Sequence, residues 1–202
     1  MTRTAEWERT TKETQISGYL AIDGKGECSV QSPIGFFNHM IEAFAKHGRF
    51  DLRLKASGDL HVDQHHLIED CGIVLGQLFA RALGDKRGIN RAGFFVYPMD
   101  EALAVVAIDL SGRPYLQFEV TFRRRFCGEL DTDLVQDFFQ AFATHSQANV
   151  VVRMPYGRSD HHKLEALFKA FGRSMRMACS KDRRDIADIP STKGWIDNDR
   201  DR

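Results

Sequence analysis

Two copies of one short motif carry the chemistry of this chain: His65-His66-Leu67-Ile68-Glu69 and His161-His162-Lys163-Leu164-Glu165. Both read His-His-x-x-Glu, and they stand 96 residues apart in a chain of 202. Imidazole and carboxylate together suit Mn, Fe, Zn or Ni, and a repeated ligand cluster points to a two-metal centre. Consecutive helix residues point about 100° apart, so His65 and His66 serve different ions. His65 and Glu69 share a face at i,i+4, as do His161 and Glu165. The economical arrangement is two ions, each taking one histidine from each motif. A solitary motif of this kind is an ordinary polar helix start; packing gives no reason to repeat it. HExxH, GxSxG and the P-loop signature are absent.

The elements that position these residues are themselves duplicated. His39-Met40-Ile41-Glu42-Ala43-Phe44-Ala45-Lys46-His47 matches Asp137-Phe138-Phe139-Gln140-Ala141-Phe142-Ala143-Thr144-His145 at an offset of 98. Apolar residues at helical spacing make each stretch a helix, with His39 beginning the first. Asp137 stands at the matching position and is a further candidate ligand. His47 and His145 read as polar residues near helix C-termini. Strands follow at Phe50–Ala56 and Val150–Met154, then the motif helices from His65 to Leu83 and from His161 to about Cys179. Gly84 suits the C-cap of the first and Asp160 the N-cap of the second. Strands at Gln15–Ile22, Glu27–Gln31, Ala102–Leu110 and Tyr115–Phe122 precede the helices, and Phe94–Tyr97 adds another. The expected fold is α+β, a tandem duplication of a ββαβα unit with sheets on one side and helices on the other. A single domain spans 1–202, with half-repeats at about 10–90 and 95–190.

Bulk composition excludes several classes. Lys plus Arg is 28 and Asp plus Glu is 28, so the formal net charge is zero and offers nothing for nucleic acid or a membrane surface. Met1–Thr14 is polar, unlike a secretory signal. The four cysteines show no CxxC spacing, and each reads as a small buried hydrophobe in a reduced, cytoplasmic setting.

A second set of residues suits an anion. Arg91, Arg113 and Lys193 recur beside Gly, Pro and Ser at turns, with Ser191 two residues before Lys193. Cations with hydroxyl and backbone N–H donors make a phosphate cradle. Lys169 lies one turn beyond Glu165. Arg123-Arg124-Arg125 reads as a solvated strand end.

Taken together, the chain resembles the imidazoleglycerol-phosphate dehydratase family. The resemblance rests on Thr11–Thr14, Gly35–Met40, Gly58–His61, His65–Asp70, Ala82–Asp85, Met99–Leu103, Leu110–Tyr115, Asp160–Glu165, Phe168–Phe171 and Pro190–Gly194, in order along nearly the whole chain. It implies a duplicated ββαβα fold, a 24-subunit homo-oligomeric shell, and two Mn(II) ions per active site at subunit interfaces. It implies dehydration of imidazole glycerol phosphate, a small phosphorylated substrate, to imidazole acetol phosphate in histidine biosynthesis. Carried over residue by residue, it makes His39, His65, His66, Glu69, His161, His162 and Glu165 metal ligands. It makes Glu13 the acid–base group, with His66 and Glu165 beside it as catalytic residues. Arg91, Arg113, Lys169, Ser191 and Lys193 match the substrate-binding positions, and Glu13 touches substrate too. The pattern departs at Asn38 and Gln64, where the family carries aspartate, and at Asn149-Val150-Val151, where it carries Thr-Leu-His. Asn38 can still orient His39. The alternatives are a two-metal hydrolase and a non-catalytic metal-binding relative.

Overall fold

A computed structural model of the protein describes residues 3–182 and 188–196, so residues 183–187 of the second expected half-repeat lie outside the described residues. The first half runs β1 (Thr4–Thr10), β2 (Thr14–Ala21), β3 (Cys28–Gln31), α1 (Gly35–Gly48), β4 (Asp51–Gly58) and α2 (His65–Leu83). The second runs β5 (Ala92–Met99), β6 (Ala102–Asp109), β7 (Tyr115–Glu119), a small hairpin of β8 (Phe126–Cys127) and β9 (Leu130–Asp131), then α3 (Leu134–Ser146), β10 (Asn149–Tyr156) and α4 (Asp160–Cys179). Each half therefore contains the expected ββαβα unit with one strand added in front. The sheets repeat the same order, β1-β2-β4-β3 and β5-β6-β10-β7. In each the last pair is parallel and the others antiparallel.

The added strand β1 lies in a segment whose composition reads only as polar. It is a sheet edge, paired with β2 from Thr4↔Ala21 to Thr10↔Gln15. Its residues alternate between exposed and half-buried, with Glu6 and Glu8 on the open face. Charge at an edge discourages pairing with other chains and hides the strand from hydrophobicity arguments. The helices also start earlier than expected. Gly35 opens α1, so His39 sits in its second turn, and Asp137 lies in the first turn of α3. The first backbone amides of α1 look for acceptors, and Glu129 of the hairpin supplies one to the Phe36 N–H at 3.1 Å. The cap of α4 is Ser159, which accepts from the His162 amide at 3.4 Å, and not Asp160. Gly84 does close α2.

Within each half the helices cover one face of the sheet. The halves then pack helix layer to helix layer, α1 along α4 and α2 along α3. The helices thus lie between the two sheets. One phenylalanine from each helix meets at the centre: Phe44, Phe79, Phe142 and Phe171, all fully buried. Phe44 stacks on Phe171 at 4.5 Å and Phe142 meets Phe171 edge-on at 4.9 Å. Burial of each such ring stabilises by roughly 1.5–3 kcal/mol, and each ring pair adds about 0.5–1.5 kcal/mol. The four cysteines are free thiols, with Cys71, Cys127 and Cys179 buried. No helix among the described residues is long and apolar enough to cross a membrane.

Both helix pairs need glycine at their crossing. A Cβ on Gly172 of α4 would stand 2.3 Å from the Phe44 carbonyl oxygen, and one on Gly72 of α2 would stand 2.5 Å from that of Phe138. Neither oxygen can retreat without moving a helix. Gly172→Ala is expected to destabilise by about 1–3 kcal/mol, the usual cost of overpacking. A urea midpoint equal to that of the parent would show that the helices separate freely.

Candidate metal centre and phosphate pocket

The glycine contacts also fix direction. Gly48 and Phe44 of α1 face Gly172, while His39 faces His161, so α1 and α4 run parallel. Phe138 and Phe142 of α3 face Gly72 and Gly76, so α2 and α3 run parallel too. The pseudo-twofold relates the two pairs, and each brings a ligand cluster to its N-terminal end. In one cluster, Glu165 Oε2 lies 3.2 Å from His161 Nε2 and 3.9 Å from His39 Nε2. These three offer atoms within 4.8 Å of one another, a spacing one ion can bridge. In the other, His65 Nδ1 lies 3.4 Å from Asp137 and His65 Nε2 lies 3.8 Å from Glu69. His39 and Asp137 are thus structural counterparts. In the first cluster, imidazole and carboxylate donors at these spacings fit a divalent transition metal; in the second, Asp137 and Glu69 face opposite nitrogens of the His65 ring.

The second histidine of each motif turns the other way, as its 100° rotation requires. His66 Nδ1 meets both carboxylate oxygens of Asp59 at 3.2 Å, with Glu13 at 3.8 Å. His162 Nδ1 meets Glu101 at 2.8 Å, and Asp100 stands 3.7 Å off. The hydrogen bond that Asp59 accepts raises the His66 pKa and outweighs the lowering by burial, and Glu101 does the same for His162. In return, His162 and the Ser159 amide hold the Glu101 carboxyl down at about 2. Asp59, Asp100 and Glu101 carry no signal in the sequence as partners of these rings, because they lie in turns on other elements. Among the described residues, each cluster holds histidines of one motif only. The histidines of the two motifs are thus not brought together among the described residues of one chain.

Glu165 also meets Lys169 at 2.7 Å. Burial pushes the Glu165 carboxyl up, but Lys169, with His39 and His161, outweighs it and leaves the pKa below the ordinary value. Lys169 rests near Met99 and the Tyr97 ring, on the side of the His39-His161-Glu165 cluster, and does not line the cavity around Arg91 and Arg113. His47 and His145 are outside both clusters. Burial lowers their pKa values, His47 against Tyr97 and His145 beside Gln77. Asn38 does not touch His39: its amide donates to the Ser32 carbonyl at 2.9 Å and its oxygen accepts from the Ser32 hydroxyl. Gln64 likewise ties the hairpin to α2, donating to the Glu129 carbonyl at 2.6 Å and accepting from the Asp131 amide at 3.1 Å. Phe36 packs edge-on against His161 at 5.1 Å.

Arg91, Arg113, Ser191 and Lys193 come together around a cavity of about 190 Å³, with Ser111 and Trp195. Arg91 grips Asp109 through two nitrogens at 2.7 and 3.0 Å and donates to the Pro190 carbonyl at 2.9 Å. It therefore fastens the 190–193 segment to the end of β6. Asn149, at the start of β10, donates to the Arg113 carbonyl at 2.6 Å and to Ser111 Oγ at 3.0 Å, shaping the turn. Beneath it Lys86 is buried, donating to the Leu110 carbonyl at 3.2 Å. Burial brings its pKa to about 8, although Asp109 resists.

Asp160, buried at the start of α4, accepts from the Arg123 and Arg124 amides at 3.0 and 2.9 Å and pairs with buried Lys163 at 3.0 Å. The arginine run is thus a tether for the His161-His162 helix. Burial raises the Asp160 pKa, but Lys163 and the two amides win, leaving it below the ordinary aspartate value. A lowered native value means stability that is full above the unfolded-state pKa and lost as pH falls through the native one. Asp160→Asn is expected to cost on the order of 3 kcal/mol at neutral pH, since it leaves Lys163 buried and unpaired. Urea midpoints should show the gap to the parent closing below about pH 4, near the ordinary aspartate value. A gap independent of pH would refute the assignment.

The family model described as imidazoleglycerol-phosphate dehydratase matches residues 32–175. A relative of that name from Koribacter versatilis is 53% identical over 194 residues, covering 96% of this chain and 100% of its own. Another, from Caldicellulosiruptor saccharolyticus, is 51% identical over 196 residues, covering 96% of this chain and 98% of its own. The solved dehydratase from Pyrococcus furiosus superposes with a TM-score of 0.82 at 31% identity, covering 94% of this chain and 100% of its own. That from Staphylococcus aureus gives 0.80 at 35% identity, covering 89% and 99%.

Proposed function

The chain belongs to the imidazoleglycerol-phosphate dehydratase family, and from that premise we propose that it is a metal-dependent hydro-lyase converting imidazole glycerol phosphate to imidazole acetol phosphate and water in histidine biosynthesis. The observation that carries the metal dependence is the His39-His161-Glu165 cluster, whose donor atoms lie within 4.8 Å of one another; Asp137, His65 and Glu69 stand at the equivalent end of the other helix pair. With His66 and His162, these residues would hold two Mn(II) ions. Bound there, the ions would supply Lewis-acid polarisation of the substrate. Arg91, Arg113, Ser191 and Lys193 hold the phosphate, and Lys169 reaches the substrate from the metal side. Dehydration takes a proton from one carbon and hydroxide from its neighbour. Glu13 moves that proton, beside His66, while the anchored phosphate fixes the reacting carbons.

The distance between the two sets of residues supports assembly. Arg91 and Asp109 mark one end of the β5–β6 pair and Asp100 and Glu101 the other, with the eight residues of β5 between them. At about 3.3 Å per residue that is roughly 26 Å, beyond the reach of one ring and three carbons. That separation supports a phosphate pocket of one subunit serving the metal cluster of another, in a homo-oligomer such as the 24-subunit shell; the compartment we propose is the cytoplasm. Binding at shared sites is assembly energy. Chelation is expected to shrink the particle, read by light scattering; an unchanged monomer before and after would sink the shared-site model.

The deciding assay supplies imidazole glycerol phosphate to the Mn(II)-loaded protein and follows the ultraviolet absorbance of the enolised product. Release of inorganic phosphate without that absorbance would instead mark a two-metal hydrolase.

A further inference from the structure

We propose that Asp59 and Glu101 are positioning residues: each holds the Nδ1–H of the second motif histidine, His66 or His162, and so presents Nε2 to the metal. The inference rests on the metal reading above. Glu101 Oε2 lies 2.8 Å from His162 Nδ1, and its other oxygen accepts from the Ser159 amide at 2.7 Å, so the carboxylate is itself pinned. Asp59 meets His66 Nδ1 with both oxygens at 3.2 Å and is only 16% exposed. A carboxylate facing a ring nitrogen needs a proton between them, because two acceptors repel. The lone pair then lies on Nε2, the tautomer a metal requires.

The pseudo-twofold sharpens the assignment. Glu101 ends the β5–β6 turn, immediately before the first residue of β6, and Glu13 ends the β1–β2 turn, immediately before the first residue of β2. They are counterparts, yet they behave differently. Glu101 grips its histidine, while Glu13 stands 3.8 Å from His66 Nδ1, outside hydrogen-bond range. In the first half Asp59 has taken over the holding, which leaves Glu13 clear to carry a proton. Two chemically equivalent turns have diverged into a brace and a base.

The test compares the full-length protein with Glu101→Gln, Glu101→Ala, Asp59→Asn and Asp59→Ala. Free Mn(II) is titrated by electron paramagnetic resonance, and the ring nitrogens of metal-free protein are read by nitrogen-15 NMR. The alanine variants should weaken Mn(II) binding by roughly 10–100-fold, the usual cost of losing an outer partner. The amides, whose oxygen still accepts from Nδ1–H, should recover much of that loss. NMR should show the Nδ1–H form in the parent and a shift toward Nε2–H in the alanine variants. Lost activity should return as Mn(II) is raised. Unchanged affinity and tautomer in the alanine variants overturns the proposal. So does a turnover defect that excess Mn(II) does not relieve, which makes Glu101 a proton carrier. Equal loss in the Gln and Ala variants makes it a ligand and also overturns it. A parent that takes up no Mn(II) overturns the metal reading instead, and the tautomer measurement, made without metal, still decides whether the carboxylates hold the rings.

Discussion

Glu13→Gln lowers the turnover number by roughly 10²–10⁴-fold, the span of general acid–base catalysis, and leaves metal content unchanged. The carboxylate sits at the β1–β2 turn, half-exposed, 3.8 Å from His66 Nδ1. Its backbone is fixed on both sides: the Glu13 amide donates to Thr11 Oγ1 at 3.0 Å, and the Asp59 amide donates to the Glu13 carbonyl at 3.0 Å. The side chain is thus delivered to one place without being consumed by a structural contact to the ring. Glutamine keeps that shape and removes the base. Steady-state kinetics and metal analysis on the same preparation give the answer. Near-parental turnover would end the proton-carrier assignment.

Glu165→Gln fails in another way, losing metal and activity together. Its two oxygens serve His161 and His39 on one side and Lys169 on the other. Glutamine is a weak, neutral ligand, and it strands the Lys169 ammonium beside the ion. Mn(II) affinity is expected to drop by at least the roughly 10–100-fold that loss of an outer-shell partner costs. Activity should fall in step with metal occupancy. Full metal content in an inactive Glu165→Gln protein would move Glu165 out of the ligand set and into proton transfer alone. The two variants therefore separate the base from the metal site by a single pair of measurements.

The duplication, the motif helices and the ligand residue types were legible in the chain because each is a local or repeated pattern. Hydrophobic spacing marked α2 from His65 to Leu83 to the residue, and the 98-residue offset paired His39 with Asp137. The strand β1 escaped, because an edge strand keeps its charges outward and lacks an apolar signature. What touches what was decided by packing. Gly172 lets α4 reach the backbone of α1, and only that contact sets His161 beside His39, 122 residues away in the chain. The braces Asp59 and Glu101 lie in turns, where no periodicity records which ring a carboxylate will meet. The arginine run keeps its side chains exposed, as solvated charge does, while its amides hold buried Asp160. Spacing along a chain reports the face of one helix; the partner across a helix pair or a sheet end depends on close approach between distant segments, which exists only once they are packed.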